Sequence, residues 1–277
     1  MPTRNFISNQ AAIALSALAS ITVLAAAGFL GSSATHPVHA AIESQAPGQP
    51  VLVELFTSEG CSSCPPADAL LAQLDAMQGT GGTPPVIVLS EHVTYWDDLG
   101  WHDPFSAQAF TERQSQYSSR FGLSGVYTPQ AVVDGSIELV GSDRSKLVKA
   151  LQTQSAKPKI PLTLSSVQWS GNSVTAQVSS GAVSQSGTLI AALADDSDES
   201  SVRRGENQGR NLRHVAVVRS LTEVSKVKGP LNQQPIQLKL PSGVSPQSKM
   251  RLVVFLADNR SGHVLGATMQ TVQTTQR

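Results

Sequence analysis

The sequence predicts an α/β domain followed by an all-β, sandwich-like domain. Three observations lead there. In the first half, short apolar β-branched runs alternate with stretches of helical periodicity. Beyond Lys157 the helical pattern stops, and short alternating runs are separated by Gly, Ser, Asn and Pro turns. Between the two, Lys157-Pro158 to Pro161 reads as a linker. The expected organisation is an export signal at 1–40, the α/β domain at 41–156 and the β domain at 157–277.

Composition sets the frame. The chain has 277 residues, 40% hydrophobic and 14% charged, enough to bury a core in one large domain or two. Lys and Arg total 20, as do Asp and Glu, for a formal net charge of +0. With no basic excess, nucleic acid and anionic lipid are set aside as partners. The amino terminus reads as a secretory signal: Arg4, the apolar run "AAIALSALASITVLAAAGFL" at 11–30, and "VHA" at 38–40 with cleavage after Ala40. A run of ~20 apolar residues can also span a bilayer, so a retained anchor is the alternative. Both readings put the body outside the cytoplasm, periplasmic or extracellular, with no stable membrane insertion once the signal is removed.

The first domain is read element by element. "VLVELFTS" at 51–58, bounded by Pro50 and Gly60, is a buried strand. "CSSC" follows, and it holds the chain's two cysteines, Cys61 and Cys64. Pro65 and Pro66 suit a first helical turn, where a missing amide is tolerated, and Leu70, Leu71, Leu74 and Met77 recur at helical spacing. "GTGGTPP" at 79–85 is a loop and "VIVLSEHV" at 86–93 a second buried strand. Asp103-Pro104 reads as an N-cap and first helical residue. Ala107, Phe110, Tyr117 and Phe121 then line one face of a helix ending near Gly122. "QAVV" and "SIELV" flank Asp134-Gly135, a strong hairpin signal. A last helix, Arg144 to Gln154, turns Leu147, Val148 and Leu151 inward.

Outside the cytoplasm disulfides persist, so the lone cysteine pair can be a crosslink. A two-residue gap nevertheless closes too small a loop to remove much entropy from the unfolded chain. CxxC is the usual geometry of a dithiol that cycles, or of two thiolates meeting a metal. Here it lies at a strand-to-helix junction. Helix-start amides and the macrodipole favour a thiolate there, most of all on Cys61, with Cys64 as the resolving thiol.

The order βα, βα, ββ, α, with the cysteines after the first strand, is that of the thioredoxin fold, so this domain is expected to be thioredoxin-like. One family is closer still. "FTSEGCSSCPPADALLAQL", "HVTYWDDLGWHDPF", "FTERQSQYSSRFG" and "VYTPQAVVDG", in that order, resemble the secreted thioredoxin-like bacterial proteins grouped as domain of unknown function 1223. The likeness covers nearly all of the mature chain and implies the fold, while the family's biochemistry is unsettled. Thioredoxin-like proteins place a cis-proline before the third core strand, packed against the CxxC. The resemblance puts Thr128-Pro129 at that point, shaping the peptide-contact edge. Thioredoxins also carry a buried acid six residues before the first cysteine, whereas here Glu54 lies seven before Cys61. Glu54 in an apolar strand is then a proton relay with a raised pKa, or an ion pair, or a strand end near solvent.

Other candidates surround this centre. "EHVTYWDDLGWHDPF" at 91–105 follows the second strand, where substrates approach. His92 orients the thiol chemistry, ligates a metal, or is hydrogen-bonded within the loop. Trp96 and Trp101 are packing residues or substrate contacts. Asp97 and Asp98 read as a turn or cap. In the β domain, "DDSDESSVRRGENQGRNLRH" at 195–214 is a solvated hairpin, or a docking loop folded back on the first domain with Arg210 or Arg213 gripping a carboxylate.

The leading functional expectation is an exported thiol–disulfide oxidoreductase acting on protein or small thiol substrates, with another protein as redox partner. Cys61 attacks or is attacked, Cys64 resolves, and Thr128 and Pro129 form the contact edge. A second reading is a copper-binding protein or metallochaperone holding Cu(I) on Cys61, Cys64 and His92. A third is a non-catalytic binding module. No nucleophile elbow, HExxH or Gly-rich phosphate loop points to a hydrolase or nucleotide enzyme.

Overall fold

A computed structural model describes residues 49–77, 85–245 and 249–273. The expected signal at 1–40 and most of the 79–85 loop lie outside them. The first half contains Val51–Thr57 (β1), Pro65–Ala76 (α1), Val86–His92 (β2), Gln108–Phe121 (α2), Gln130–Val133 (β3), Ile137–Val140 (β4) and Arg144–Ser155 (α3). The second half contains Leu162–Ser170 (β5), Ser173–Ser180 (β6), Gly187–Ser201 (β7), Asn211–Val227 (β8), Gln234–Lys239 (β9), Lys249–Asp258 (β10) and Val264–Gln273 (β11).

The sheet corrects the expected fold class. The chain is not an α/β thioredoxin-like domain followed by an all-β sandwich-like one. A single mixed sheet of eight strands runs β11-β10-β7-β8-β2-β1-β3-β4, so four strands of the second half extend the sheet that β1–β4 begin. The protein is mostly β, with eleven strands and three α-helices among the described residues. The physical reason is the outer edge of β2. Left alone it would present unpaired N–H and C=O groups, and the long β8 covers it, pairing parallel at Ser90 and Val217. β5, β6 and β9 form a second, three-stranded sheet against one face of the large one.

Burial on both faces explains the unbroken apolar runs of β7 and β10. Leu189, Ala191 and Leu193, with Met250, Leu252, Val254 and Leu256, pack on the three-stranded sheet. Ile190, Ala192 and Ala194, with Val253 and Phe255, pack with Leu52, Leu89 and Phe110 on the other side. In the same way β1 sends Val51, Val53 and Leu55 toward Leu70, Leu71 and Leu74 of α1 and Leu147 and Leu151 of α3. Val148, expected inward, is exposed, because the 3.6-residue period assigns the buried stripe to Leu147, Ala150, Leu151 and Gln154.

Local signals mostly act as expected. Pro65 and Pro66 open α1, Gly122 ends α2 in the left-handed region (φ 66), and Asp134 and Gly135 turn the β3–β4 hairpin with φ 49 and 59. α2 starts later than expected, with Ala107 as its N-cap; Asp103 caps only a separate turn, its Oδ1 accepting the Phe105 amide at 2.9 Å while its Oδ2 turns inward to His92. Lys159, in the expected linker, is pinned by its ammonium to Asp134 (2.6 Å) and to the Pro50 carbonyl (2.7 Å). No helix among the described residues is long and apolar enough to cross a membrane.

Candidate functional site

The site begins where β1 runs out. The Cys61 amide donates to the Ser58 carbonyl and the Cys64 amide to the Cys61 carbonyl, each at 3.2 Å. This turn delivers Cys64 as the residue just before α1 and joins it to Cys61 in a disulfide, with Cα atoms 5.4 Å apart. Both cysteines are buried, while Ser62 and Ser63 between them are exposed.

Two groups flank the turn. Trp96 packs on Gly60, where an added Cβ would lie 3.1 Å from the Trp96 Cβ. Its indole donates to Thr128 Oγ1 at 2.8 Å. The Thr128–Pro129 bond is cis. A Cβ on Gly141 would sit 3.4 Å from Pro129 and 3.2 Å from Ala67 of α1, which puts the proline beside the start of that helix.

The β7–β8 connection, residues 202–210, folds over the cysteine turn. Asn207 is buried, and its Nδ2 donates to the carbonyls of Glu59 (2.8 Å) and Cys61 (2.9 Å). The Ser62 amide donates to Glu206 Oε2 at 3.0 Å. Gly205 lies against Trp101 in the left-handed conformation (φ 75) that favours glycine, and an added Cβ would sit 3.2 Å from the Trp101 Cβ. The docking contacts are therefore made by Glu206 and Asn207. Arg210 is exposed, and Arg213 is exposed and paired with Glu199 at 2.9 Å.

Behind the turn lies a buried charged cluster. Glu59 accepts from the Trp101 indole (2.8 Å) and from Ser200. Asp68, one helical turn after Cys64, accepts from Thr57 Oγ1 at 2.9 Å. His92 Nδ1 pairs with Asp103 at 2.7 Å, and its Nε2 lies 3.3 Å from Ser90 Oγ, so both ring nitrogens are engaged. Asp103 also accepts the Glu59 amide at 2.8 Å. His214 of β8 stands edge-on to His92, with ring centroids 4.7 Å apart. Its Nε2 is 3.4 Å from Glu59 and its Nδ1 3.8 Å from Asp68, and neither nitrogen has a hydrogen-bond partner.

Electrostatics follow from this packing. Burial pushes the Asp68 carboxyl up, against the pull of His214 and His92. For His92 burial acts downward, but Asp103, Asp68 and Glu59 outweigh it and the imidazole moves up. Asp103 moves the other way, to about 2: burial opposes ionisation, and His92 with two backbone amides overcomes it. At the outer side, burial and then Asp198 raise Asp195 to about 7, with Arg219 at 3.3 Å opposing.

Glu54 is not brought into this cluster. It is buried on the sheet face away from α1, where it accepts from Arg113 Nε and the Tyr117 hydroxyl, both at 2.5 Å. Glu91 lies beside it, and burial followed by Glu54 pushes that carboxyl well up. Sequence reading missed Asp68, Glu59, His214 and Asn207. Asp68 had a signal: it shares the stripe of Ala67, Leu71 and Leu74 and is the one buried acid of α1. Asn207 had none, because its role depends on how a hairpin folds back.

Sequence comparison adds the family. A family model described as "Protein of unknown function (DUF1223)" matches residues 52–257. The chain belongs to this family. The DUF1223 match spans the cysteine turn, the charged cluster and the covering hairpin. Among solved structures, a protein of Agrobacterium tumefaciens is similar, with 26% identity and a TM-score of 0.56 over 82% of this chain and 96% of that one. HBP35 of Porphyromonas gingivalis shares the fold, with 14% identity and a TM-score of 0.54 over 84% of this chain and 79% of that one. No curated protein matches the chain. Among the described residues no group of three or more His, Cys, Asp or Glu is arranged to hold a metal ion.

Proposed function

We propose that this DUF1223 protein is an exported thiol–disulfide oxidoreductase whose Cys61–Cys64 pair cycles between dithiol and disulfide on protein or small-thiol substrates. The observation that carries the reading is the disulfide itself, set at the start of α1 and closing a two-residue gap. As a staple it does little, since loop closure so short removes little unfolded-state entropy. As a redox couple it is well placed. The macrodipole of α1 favours a Cys61 thiolate on reduction, although Pro65 and Pro66 carry no amide and the Ala67 and Asp68 amides are taken by the Cys64 carbonyl. In the exchange, Cys61 thiolate attacks a substrate disulfide and releases one thiolate. Cys64 then attacks Cys61 Sγ and releases the second, so two electrons pass from the dithiol to the substrate.

Because both cysteines are buried and the 202–210 hairpin is bonded to the backbone of their turn, a macromolecular substrate engages once that hairpin moves aside. Thr128, Pro129 and Trp96 then edge the opening. A Cu(I) site on Cys61, Cys64 and His92 has less support, since the His92 ring is already bonded at both nitrogens. The deciding experiment is equilibration of the purified protein in thiol redox buffers, followed by trapping and mass spectrometry. A potential near about −270 mV marks a reductase, and one above about −200 mV an oxidant or isomerase. A pair that neither reduces nor alkylates in the folded protein would leave a binding module as the better account.

A further inference from the structure

Cys64 must lose a proton before it can resolve a mixed disulfide, and it is buried. Asp68 is the nearest acid along the chain. Its amide donates to the Cys64 carbonyl at 3.1 Å, and a four-residue step on α1 puts the two side chains on one helix face. Beyond Asp68 stands His214, buried, with carboxylates at 3.4 and 3.8 Å but no hydrogen bond at either ring nitrogen. A buried imidazole with no hydrogen bond is costly unless something needs it free to take and give a proton. Across the β7–β8 pairing His214 faces Asp198, which is only half-buried, so the line of groups reaches the surface.

We propose that His214 is a proton relay for the dithiol: Asp68 takes the Cys64 proton, and His214 passes it outward to Asp198. The proposal rests on the oxidoreductase reading. In full, Cys61 thiolate attacks an added disulfide RSSR, forming Cys61–S–S–R and releasing RS⁻. The Cys64 proton moves to Asp68 and on through His214 to Asp198 and solvent. Cys64 thiolate then attacks Cys61 Sγ, re-forms the Cys61–Cys64 bond and releases the second RS⁻. The titratable groups around the imidazole are Glu59 from the cysteine turn, Asp68 from α1, His92 from β2, Asp103 from the following loop, and Asp198 from β7. Burial raises the proton affinity of the Asp68 carboxylate, which makes it a stronger base toward the Cys64 thiol.

The test is stopped-flow reaction of the reduced protein with a chromogenic aromatic disulfide. Two equivalents of coloured thiolate are expected in two phases, attack by Cys61 and resolution by Cys64. His214→Gln is expected to slow the second phase on the order of a hundredfold at neutral pH, the usual worth of a positioned proton acceptor. That rate should then climb about tenfold per pH unit toward the free thiol pKa of about 8.5, where the wild-type profile is flatter. Asp198→Asn, at the partly exposed end, is the second variant and should show the same altered profile even if His214→Gln does not fold. A second phase with wild-type rate and pH profile in the folded variants overturns the relay. If the wild type releases fewer than two equivalents, the oxidoreductase reading itself fails, a result visible before any variant is made.

Discussion

Asn207→Ala tests whether the β7–β8 hairpin gates the disulfide. The wild-type side chain makes two buried bonds, to the Glu59 and Cys61 carbonyls at 2.8 and 2.9 Å. Each is worth about 1 kcal/mol net, and a buried acceptor left unsatisfied costs about 1–3 kcal/mol. Against that, the change removes Asn207 Oδ1, itself buried with no partner, which returns part of the loss. A net destabilisation of the closed hairpin by about 2 kcal/mol follows, which raises its opening constant roughly 30-fold. The Glu206–Ser62 bond survives, but it is exposed and holds little. The assay is the rate at which dithiothreitol reduces Cys61–Cys64 under native conditions, followed by alkylation and mass spectrometry. Where opening precedes attack, that rate scales with the opening constant, so a roughly 30-fold rise is expected. A folded Asn207→Ala protein that is reduced at the wild-type rate would show that the hairpin is not the gate.

Further outcomes follow from the same geometry. Reducing the disulfide should lower the unfolding free energy by no more than about 2 kcal/mol, because the loop it closes is so short, and urea titration of both forms checks this. Asp103 ionises at about 2 in the fold against 3.8 for a free aspartate, so its pairing adds on the order of 2 kcal/mol above that ordinary value, lost as pH falls toward 2. His92, shifted upward, contributes below its ordinary 6.5 and loses that contribution as pH rises through its folded value. Asp103→Asn should therefore be most destabilising between about pH 4 and 6.5 in thermal melts, and a penalty that is flat with pH would contradict the pairing. Asp195 has the opposite sign. Its pKa, raised to about 7, penalises the fold as pH climbs from 3.8, so Asp195→Asn should stabilise at pH 8 and not below pH 4. Gly141→Ala would bring a methyl to 2.6 Å from Leu55 and should cost about 1–3 kcal/mol by overpacking beside Pro129.

The first half was legible because its signals are local. Tandem prolines start a helix, Asp-Gly turns a hairpin, glycine ends a helix, and each does so with its immediate neighbours alone. The join between halves was not legible. "HVAVV" reads the same whether it lies in a separate sandwich or alongside β2, and the decision rests with the unpaired edge of β2, which no window around residue 217 contains. The doubly apolar runs of β7 and β10 did carry a hint. A sandwich strand with one wet face alternates, and "TLIAALA" and "LVVFLA" do not, so those strands had to be covered on both sides.

The same distinction between near and far neighbours decides Glu54. An acid in an apolar strand invites a functional role, but a strand's two faces lead to different places. Counting by twos from Val51, Val53 and Leu55 face α1, so Glu54 faces α2 and meets Arg113 and Tyr117 there. That parity is a property of the amino-acid order alone, and it excludes Glu54 from the cysteine side. On that side the acids come from the cysteine turn, as Glu59, and from the first turn of α1, as Asp68. What parity cannot supply is the histidine opposite, since His214 is remote in the chain and arrives only because β8 closes the edge of β2. The extension of the sheet and the completion of the charged cluster are therefore one event: without β8 beside β2, Asp68 and Glu59 would keep His92 but lose the second imidazole, His214.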